Sequence, residues 1–425
     1  MRERGFFGVL PMLAAVASCG DGATSSGGIV PPNGTNVAAL IVDAGPRGAN
    51  GRQVGYVNGL FTTVTVCIPG TSTCQDIDHV LVDTGSAGLR LLANDGTAGG
   101  ELSLGLPPQL DSAGNAIVEC TQFLDGFTWG PIALADVRLA GEKATRVPIQ
   151  VISEKTYSVP SSCSSVGVDE STLEGPTGLM TNGILGVGLF RQDCGDACAV
   201  NPSAGNPGLY YACSSPTSCS VTAVSTSAQV ANPVSMFPTD NNGVIVQLPS
   251  LSAGGAPTVA GSLIFGIETQ SNNRLGSATV LPVDNVGTIT AVFPANGNPY
   301  SGSFIDSGSN GIFFLSSSVT GMPTCSGASG MQGFYCPSST MSFSAANEGA
   351  NGSPVAPVNF SIANASSLFS ANNFAFANLG CPAFSGSSGQ HQGFDWGLSF
   401  FFGRSVYTAI EGSTTSGGAG PYFAY

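Results

Sequence analysis

The amino-acid sequence predicts an all-β protein built from two related lobes with a cleft between them. Three observations predict this fold: a composition suited to short strands and tight turns, apolar runs of strand length along the chain, and one aspartate-containing turn that occurs twice. Of the 425 residues, 59 are glycine and 27 are proline, and only 9% are charged. Glycine and proline favour the tight connections that short strands need, and a chain of this length can bury a large core.

The N-terminal segment indicates export. Two arginines precede a short apolar run, which is too short to cross a membrane as a helix. Residues 16–19 (Val-Ala-Ser-Cys) resemble the lipobox of bacterial lipoproteins, in which cleavage leaves the cysteine as a lipid-bearing first residue. The resemblance implies a signal peptide over 1–18 and a membrane anchor at Cys19. Gly20 stands where an inner-membrane retention signal has aspartate, which favours the outer membrane. The alternative is an ordinary signal peptide with an incidental cysteine.

Turn-rich sequence and strand-like runs organise the remainder. Residues 19–36 are rich in Gly, Ser, Thr and Pro, and we expect a flexible tether there. Beyond it, apolar runs bounded by turn residues predict strands, the clearest at 37–42, 61–66, 79–82, 244–248 and 262–265. We expect an N-terminal lobe over 37–231 and a C-terminal lobe over 232–425.

The cysteines indicate an oxidising compartment. The chain has 12 of them, and those after Cys19 are expected to form disulfides. The expected pairs are Cys67 with Cys74, Cys325 with Cys336, Cys120 with Cys163, and some arrangement of Cys194, Cys198, Cys213 and Cys219. Cys381 is then left without a partner. We expect no metal site, because the chain has only 2 histidines and no C-x-x-C motif.

The decisive feature is an internal repeat. Residues 82–86 (Val-Asp-Thr-Gly-Ser) and 305–309 (Ile-Asp-Ser-Gly-Ser) each follow an apolar run. From Asp83 and Asp306 onwards, the two copies share Asp, Gly, Ser, Gly and Leu at the same offsets. A turn that occurs twice in this way predicts a duplicated fold in which Asp83 and Asp306 face each other across the cleft.

Two facing carboxylates of this kind suit the activation of water. The glycine after each aspartate permits a tight turn, and nearby hydroxyl and backbone N–H groups can donate to the carboxylate. Two carboxylates a few ångströms apart cannot both ionise, so the pair holds one proton. One member then acts as a base towards water while the other donates a proton to a scissile carbonyl.

Together with these turns, two further segments resemble the pepsin-like aspartic peptidases. In that family a hydrophobic-hydrophobic-Gly segment passes beside each catalytic loop, and residues 182–188 and 394–401 look like the two copies. The resemblance covers roughly 37–425. It implies a bilobal double β-barrel with a cleft between lobes, no cofactor, and an extended polypeptide as substrate.

The resemblance also implies roles for single residues. They are the catalytic Asp83 and Asp306, the cross-bracing Thr84 and Ser307, the outer hydrogen-bond partners Ser86 and Ser309, and a flap hairpin over 122–130 that includes Phe123 and Gly126. The chain as a whole is similar to an uncharacterised family of bacterial lipoproteins known only as a domain of unknown function, and that likeness implies no activity.

The sequence departs from the pepsin-like pattern at three positions. Phe123 and Arg90 stand where the family pairs a flap tyrosine with a tryptophan. Asp395 stands where the second hydrophobic-hydrophobic-Gly segment is apolar. Two functions therefore remain open: a lipid-anchored aspartic endopeptidase, or a non-catalytic lipoprotein that binds peptide or envelope components. The intact Asp83 and Asp306 favour the endopeptidase, because a decayed enzyme commonly loses one of its aspartates.

Charge and composition argue against other classes. With 26 acidic against 12 basic residues the net charge is −14, which repels nucleic acid. The chain has no G-x-S-x-G motif and few histidines, which argues against a serine or cysteine hydrolase. The expected partners are a polypeptide substrate or peptide ligand and a membrane reached through lipidated Cys19.

Overall fold

The computed structural model describes residues 34–425 apart from 95, 97–98, 124–125, 153–154, 176, 327–332, 384, 387–388 and 391–392. The predicted signal peptide and Cys19 lie outside the described residues. Asn36, at the end of the predicted tether, is buried and donates through its side-chain amide to the carbonyl oxygen of Phe265 at 3.0 Å. Within the described residues, no helix combines the length and the apolar character that a membrane span requires.

Strands account for most of the regular structure. They are β1 (Val37–Asp43), β2 (Gly59–Cys67), β3 (Cys74–Asp83), β4 (Ala87–Leu92), β5 (Ala116–Gln122), β6 (Gly126–Leu139), β7 (Glu142–Ile152), β8 (Val168–Asp169), β9 (Gly183–Val187), β10 (Tyr210–Ser215), β11 (Ser218–Val221), β12 (Gly243–Gln247), β13 (Val259–Phe265), β14 (Val280–Pro282), β15 (Ile289–Phe293), β16 (Asn298–Ile305), β17 (Ile312–Phe313), β18 (Met341–Glu348), β19 (Val355–Ile362), β20 (Gly380–Cys381), β21 (Ser385–Gly386), β22 (Gly389–Gln390), β23 (Asp395–Trp396), β24 (Ser405–Ala409), β25 (Thr414–Thr415), β26 (Gly418–Ala419) and β27 (Tyr422–Ala424).

The helices are short. They are α1 (Ser161–Ser164), α2 (Asp196–Ala199), α3 (Ser317–Thr320), α4 (Ala365–Phe369) and α5 (Leu398–Phe401), with 3-10 turns at Pro202–Ala204, Thr226–Ala228 and Pro233–Met236.

Alternating apolar residues of the strands form the hydrophobic core. In β2, Val64 and Val66 are fully buried while Thr63 faces solvent. Because successive side chains of a strand point to opposite faces, this pattern buries one face and leaves the other in water. At the end of β2, Cys67 pairs with Cys74 of β3 in register, which fixes the hairpin between the two strands.

Two barrel-like sheets carry the two aspartate turns, and the larger one also contains strands β12, β13, β14, β24 and β27 from the second half of the chain. One large sheet runs in the order β11-β10-β5-β6-β7-β4-β9-β3-β2-β1-β13-β12-β24-β27-β14, and a second runs β19-β18-β15-β16-β23-β17-β20. The N-terminal strand β1 pairs antiparallel with β13, so the beginning of the chain is hydrogen-bonded to strands of its second half. The predicted all-β, two-lobed architecture is confirmed.

The internal duplication is visible in the strand pairing. In the first lobe, β9 pairs parallel with β3 and antiparallel with β4. In the second lobe, β23 pairs parallel with β16 and antiparallel with β17. Each set places a glycine-containing segment between the strand that leads into an aspartate turn and the strand that leaves it.

The predicted disulfides are confirmed. Five bridges join Cys67 to Cys74, Cys120 to Cys163, Cys194 to Cys198, Cys213 to Cys219, and Cys325 to Cys336. Cys381 is a free, buried thiol on β20.

Candidate active site

The two aspartate turns meet at the junction of the lobes. Asp83 ends β3 and Asp306 follows β16, and both line one cleft of about 1400 Å³. The backbone N–H of Gly85 donates to Asp83 Oδ1 at 2.7 Å and to Asp306 Oδ1 at 3.1 Å. Since one N–H group serves an oxygen from each turn, the two carboxylates share one small region of the cleft floor.

The hydroxyls of Thr84 and Ser307 cross-brace the turns. The backbone N–H of Ser307 donates to Thr84 Oγ1 at 2.9 Å, and the backbone N–H of Thr84 donates to Ser307 Oγ at 3.2 Å. Each hydroxyl then donates to a carbonyl of the opposite strand, Thr84 to Ile305 at 3.3 Å and Ser307 to Val82 at 2.7 Å. These four buried bonds fix one turn relative to the other, because breaking one leaves a buried polar group unsatisfied.

Ser86 and Ser309 hold the outer oxygens of the carboxylates. The Ser86 hydroxyl donates to Asp83 Oδ2, and the Ser309 hydroxyl donates to Asp306 Oδ2 at 2.9 Å. The backbone N–H of Gly308 also donates to Asp306 Oδ1 at 2.7 Å. Each carboxylate is therefore oriented by hydroxyl and backbone donors of its own turn.

The glycine of each turn is required by space. A Cβ on Gly85 would lie 2.6 Å from Asp306 Cγ, and a Cβ on Gly308 would lie 2.8 Å from Asp83 Cγ. Real Cβ contacts of this length do not occur, so any side chain at either position forces the carboxylates to move. The repeated glycine thus lets each turn approach the aspartate of the other lobe.

The surroundings of Asp306 favour its protonated form. Burial raises the pKa of Asp306 well above its usual range, and the carboxylates of Asp83 and Asp395 raise it further. The Gly308 N–H group opposes this effect only in part. The site therefore favours a proton on the Asp306 carboxyl.

The segment predicted as a flap connects strands β5 and β6. Strands β5 and β6 pair antiparallel, and the backbone N–H of Phe123 donates to the carbonyl of Gly126 at 2.8 Å across the turn. Phe123 lines the cleft, and Gly126 is buried against β8, where a Cβ would lie 2.5 Å from the carbonyl oxygen of Val168. An aromatic ring without a hydroxyl therefore lines the same cleft as the two aspartates.

Arg90 is buried and is hydrogen-bonded to strand β5, which leads into the predicted flap. Its Nε donates to Thr121 Oγ1 at 2.9 Å, two residues before Phe123 on the flap strand. Its Nη2 forms ion pairs with Glu119 Oε1 at 3.1 Å and with Asp193 Oδ2 at 2.9 Å. A guanidinium group therefore connects the strand that leaves Asp83 to the flap, at the position where the pepsin-like pattern has a tryptophan.

Sequence reasoning missed the partners of Arg90. Tyr210 donates its hydroxyl proton to Asp193 Oδ1 at 2.7 Å and accepts from the backbone N–H of Val230 at 2.8 Å, which completes what we call the Arg90 cluster (Arg90, Glu119, Asp193 and Tyr210). Burial and the neighbouring Glu119 raise the pKa of Asp193 well above its usual range. Glu119 and Arg90 each lie inside an apolar run of the sequence. This placement could have indicated a buried ion pair, because a charged side chain in such a run needs a buried partner.

No metal site accompanies these residues in the described part of the chain: no group of three or more His, Cys, Asp and Glu side chains there can hold an ion. Cys19, the predicted lipidation site, lies outside the described residues.

A two-lobed β-barrel fold with an aspartate turn from each lobe at one cleft defines the pepsin-like class of folds. The chain belongs to the family described as "Protein of unknown function (DUF3443)", which matches residues 32–425. None of the curated proteins compared with the chain matches it. Solved structures similar to it include the aspartic proteinase from Irpex lacteus, at 14% sequence identity and a TM-score of 0.49, over 91% of this chain and 96% of that chain.

Proposed function

We propose that the protein is an aspartic endopeptidase that cleaves an extended polypeptide bound in the cleft between its lobes. The observation that carries this proposal is the shared donor: Gly85 N–H reaches Oδ1 of both Asp83 and Asp306, while the hydroxyls of Thr84 and Ser307 cross-brace the two turns. A pair of carboxyl groups held in this way supports general acid and base catalysis by two groups at one water.

In the proposed reaction, the raised pKa of Asp306 makes it the acid and leaves Asp83 as the base. Asp83 takes a proton from water while the water oxygen bonds to the scissile carbonyl carbon, and Asp306 gives its proton to the carbonyl oxygen. When the resulting diol collapses, the C–N bond breaks, Asp83 passes its proton to the leaving nitrogen, and Asp306 recovers a proton from a diol hydroxyl. Both carboxyl groups return to their starting states, and one water is consumed.

We further propose that the enzyme is anchored to the cell envelope, at the outer membrane, through lipid on Cys19. The lipobox-like residues 16–19 support the anchor. The five disulfides support an oxidising compartment outside the cytoplasm.

The test is cleavage of a denatured protein by the full chain in detergent, between roughly pH 3 and 6, where such a pair holds one proton. We expect Asp83→Asn and Asp306→Asn each to lose at least about 100-fold in rate, as expected for loss of an acid or base. Asp76→Asn is the matched control, because it removes an exposed carboxylate from the same strand as Asp83. Equal rates in all variants, or no cleavage by the unmodified chain, would rule out the peptidase. Retention of a peptide by both Asn variants without any cleavage would favour the binding alternative.

A further inference from the structure

Asp395 places a third carboxyl group beside the candidate pair of Asp83 and Asp306. It lies on β23, where it pairs with Phe304 of β16 in parallel and with Phe313 of β17 in antiparallel register. Phe304 is two residues before Asp306 on the strand that carries the second aspartate turn. The register of the first lobe gives the same position to Ile184, which pairs with Leu81 and Arg90. An acid therefore occupies the place that an apolar residue holds in the other copy.

The carboxyl group of Asp395 is buried and has no hydrogen-bond partner. The residue is 4% exposed, and neither carboxyl oxygen accepts a hydrogen bond from any described residue. Burying an ionised carboxylate without a partner carries a large free-energy cost, and a buried acid avoids this cost by keeping its proton. Burial accordingly raises the pKa of Asp395 to about 8, with a further rise from Asp83. The nearby Ser309 hydroxyl lowers this pKa in part, but its proton is donated to Asp306, so neither Asp395 oxygen accepts a hydrogen bond from it.

The other titratable groups that face Asp395 are also acids. Asp83 and Asp306 interact with it electrostatically from the two turns, and Cys381 does so from β20, which pairs with β17. Strands β16 and β17 and helix α5 contribute no charged side chain, and Tyr300 of β16 packs its ring against Phe394. Among the described residues, no lysine or arginine forms an ion pair with Asp395. Three carboxyl groups therefore lie in one desolvated region without a cation.

We propose that Asp395 is a positioning residue that holds a second proton beside the Asp83/Asp306 pair and so keeps the pair singly protonated into the neutral pH range. The proposal rests on the proposed peptidase function. Coupled acids release their protons in steps that belong to the group as a whole, and as Asp395 begins to release its proton its negative charge favours the proton that remains on the pair. Removing Asp395 removes that charge and lets the pair lose its shared proton at lower pH. Asp395 therefore acts on the reaction through the pair and does not itself contact the scissile bond.

The test is the pH profile of kcat/KM for the full chain and two variants. Asp395→Asn keeps the shape and removes the proton, and Asp395→Ile supplies the residue of the equivalent first-lobe position. We expect both to lose activity at high pH earlier than the unmodified chain, with the alkaline limb lowered by about one pH unit, as expected for strongly coupled groups. Either variant that folds, judged by its circular dichroism, suffices. Glu348→Gln is the control, because it removes a half-buried carboxyl of the second lobe on β18, outside the cleft. An alkaline limb that stays in place in both variants overturns the proposal.

A second measurement does not depend on cleavage. In infrared difference spectra at roughly neutral pH, the unmodified chain should show a carboxylic acid C=O band that Asp395→Asn lacks and Glu348→Gln retains, because the buried acid keeps its proton. If the unmodified chain cleaves nothing, the peptidase proposal fails by itself, and this band still decides whether Asp395 holds a proton. A carboxylic acid band that is unchanged in Asp395→Asn overturns the inference whatever the activity.

Discussion

Replacing Arg90 with methionine should destabilise the first lobe strongly at neutral pH. Arg90 is 1% exposed and is the only cation of its cluster, where it pairs with Glu119 and Asp193. Removing one partner of a buried ion pair leaves a charge without compensation and costs about 3–5 kcal/mol. This loss is large beside the roughly 5–15 kcal/mol by which a folded domain is usually stable.

The loss of stability in this variant should depend on pH, and the acids of the Arg90 cluster determine the direction of that dependence. Burial and the charge of Glu119 already raise the pKa of Asp193, while Arg90 opposes the rise. Without Arg90, the native state of the variant should bind more protons than the unfolded state. Its stability therefore falls as the pH rises above the ordinary carboxyl range of about 4. At acid pH the Asp193 carboxyl can be neutral, so the loss of the cation should matter less.

Urea titration followed by tryptophan fluorescence measures the effect in one lobe. The chain has 2 tryptophans, Trp129 in the first lobe and Trp396 in the second, so a Trp396→Phe background leaves a reporter on flap strand β6. We expect a loss of about 3–5 kcal/mol at roughly pH 7.5 and a smaller loss at roughly pH 4.5. The control Arg138→Met removes an exposed arginine from β6 and should stay within about 0.5 kcal/mol of the background. A loss below about 1 kcal/mol at the higher pH, or equal losses at both, would refute the reasoning.

Two further predictions concern the turn glycine and the first-lobe histidine. Gly308→Ala should reduce cleavage by at least about 100-fold, because the new Cβ displaces the Asp83 carboxylate. The circular dichroism spectrum should stay unchanged. Near-normal cleavage would show that the pair tolerates the displacement. Burial lowers the pKa of His79, but its hydrogen bonds and ion pairs with Asp43 and Asp78 outweigh burial and raise it to about 9. The stabilisation of the fold by protonated His79 is therefore complete below the ordinary histidine pKa of about 6.5 and is lost as the pH rises through 9. Between these two pH values, Tm should fall more steeply in the unmodified chain than in His79→Gln. Parallel Tm curves would show that these ion pairs do not stabilise the fold.

The sequence predicted those parts of the fold that depend on short, continuous stretches of the chain. The aspartate turns follow from a short motif in which the glycine and hydroxyl positions are each required, and the duplicated motif predicts a duplicated fold. The strands at 37–42 and 262–265 follow from apolar runs, and the structure contains them as β1 and β13. That β1 pairs with β13 could not be read from either run, because both are equally apolar and nothing local specifies the partner.

The Arg90 cluster shows why the other contacts of the site could not be predicted from the sequence. Its members come from β4, β5, β10 and the loop at Asp193, and no motif or fixed spacing connects them. The sequence predicted only that Phe123 and Arg90 depart from a tyrosine and tryptophan pair. The structure shows what replaces that pair: Arg90 binds the flap strand at Thr121 and not at the aromatic residue.

The two departures at Arg90 and Asp395 are related by the duplication. In the first lobe, Arg90 of β4 pairs with Ile184 of β9, so the ionisable residue lies on the strand that leaves the aspartate turn. In the second lobe, Phe313 of β17 pairs with Asp395 of β23, so the ionisable residue lies on the other strand of the equivalent pair. The first-lobe cation is balanced by acids, whereas the second-lobe acid has no partner among the described residues.

This exchange makes the two aspartates inequivalent although their turns have the same chemistry. Burial raises the pKa of Asp306 well above its usual range, the neighbouring Asp83 raises it further, and the proton is favoured on that side of the pair. A strictly symmetric pair has no reason to place its proton on one member, but a general acid and a general base need different protonation states at the same moment. In the proposed reaction the duplication therefore supplies the geometry of the pair, and the surroundings of Asp306 make it the acid.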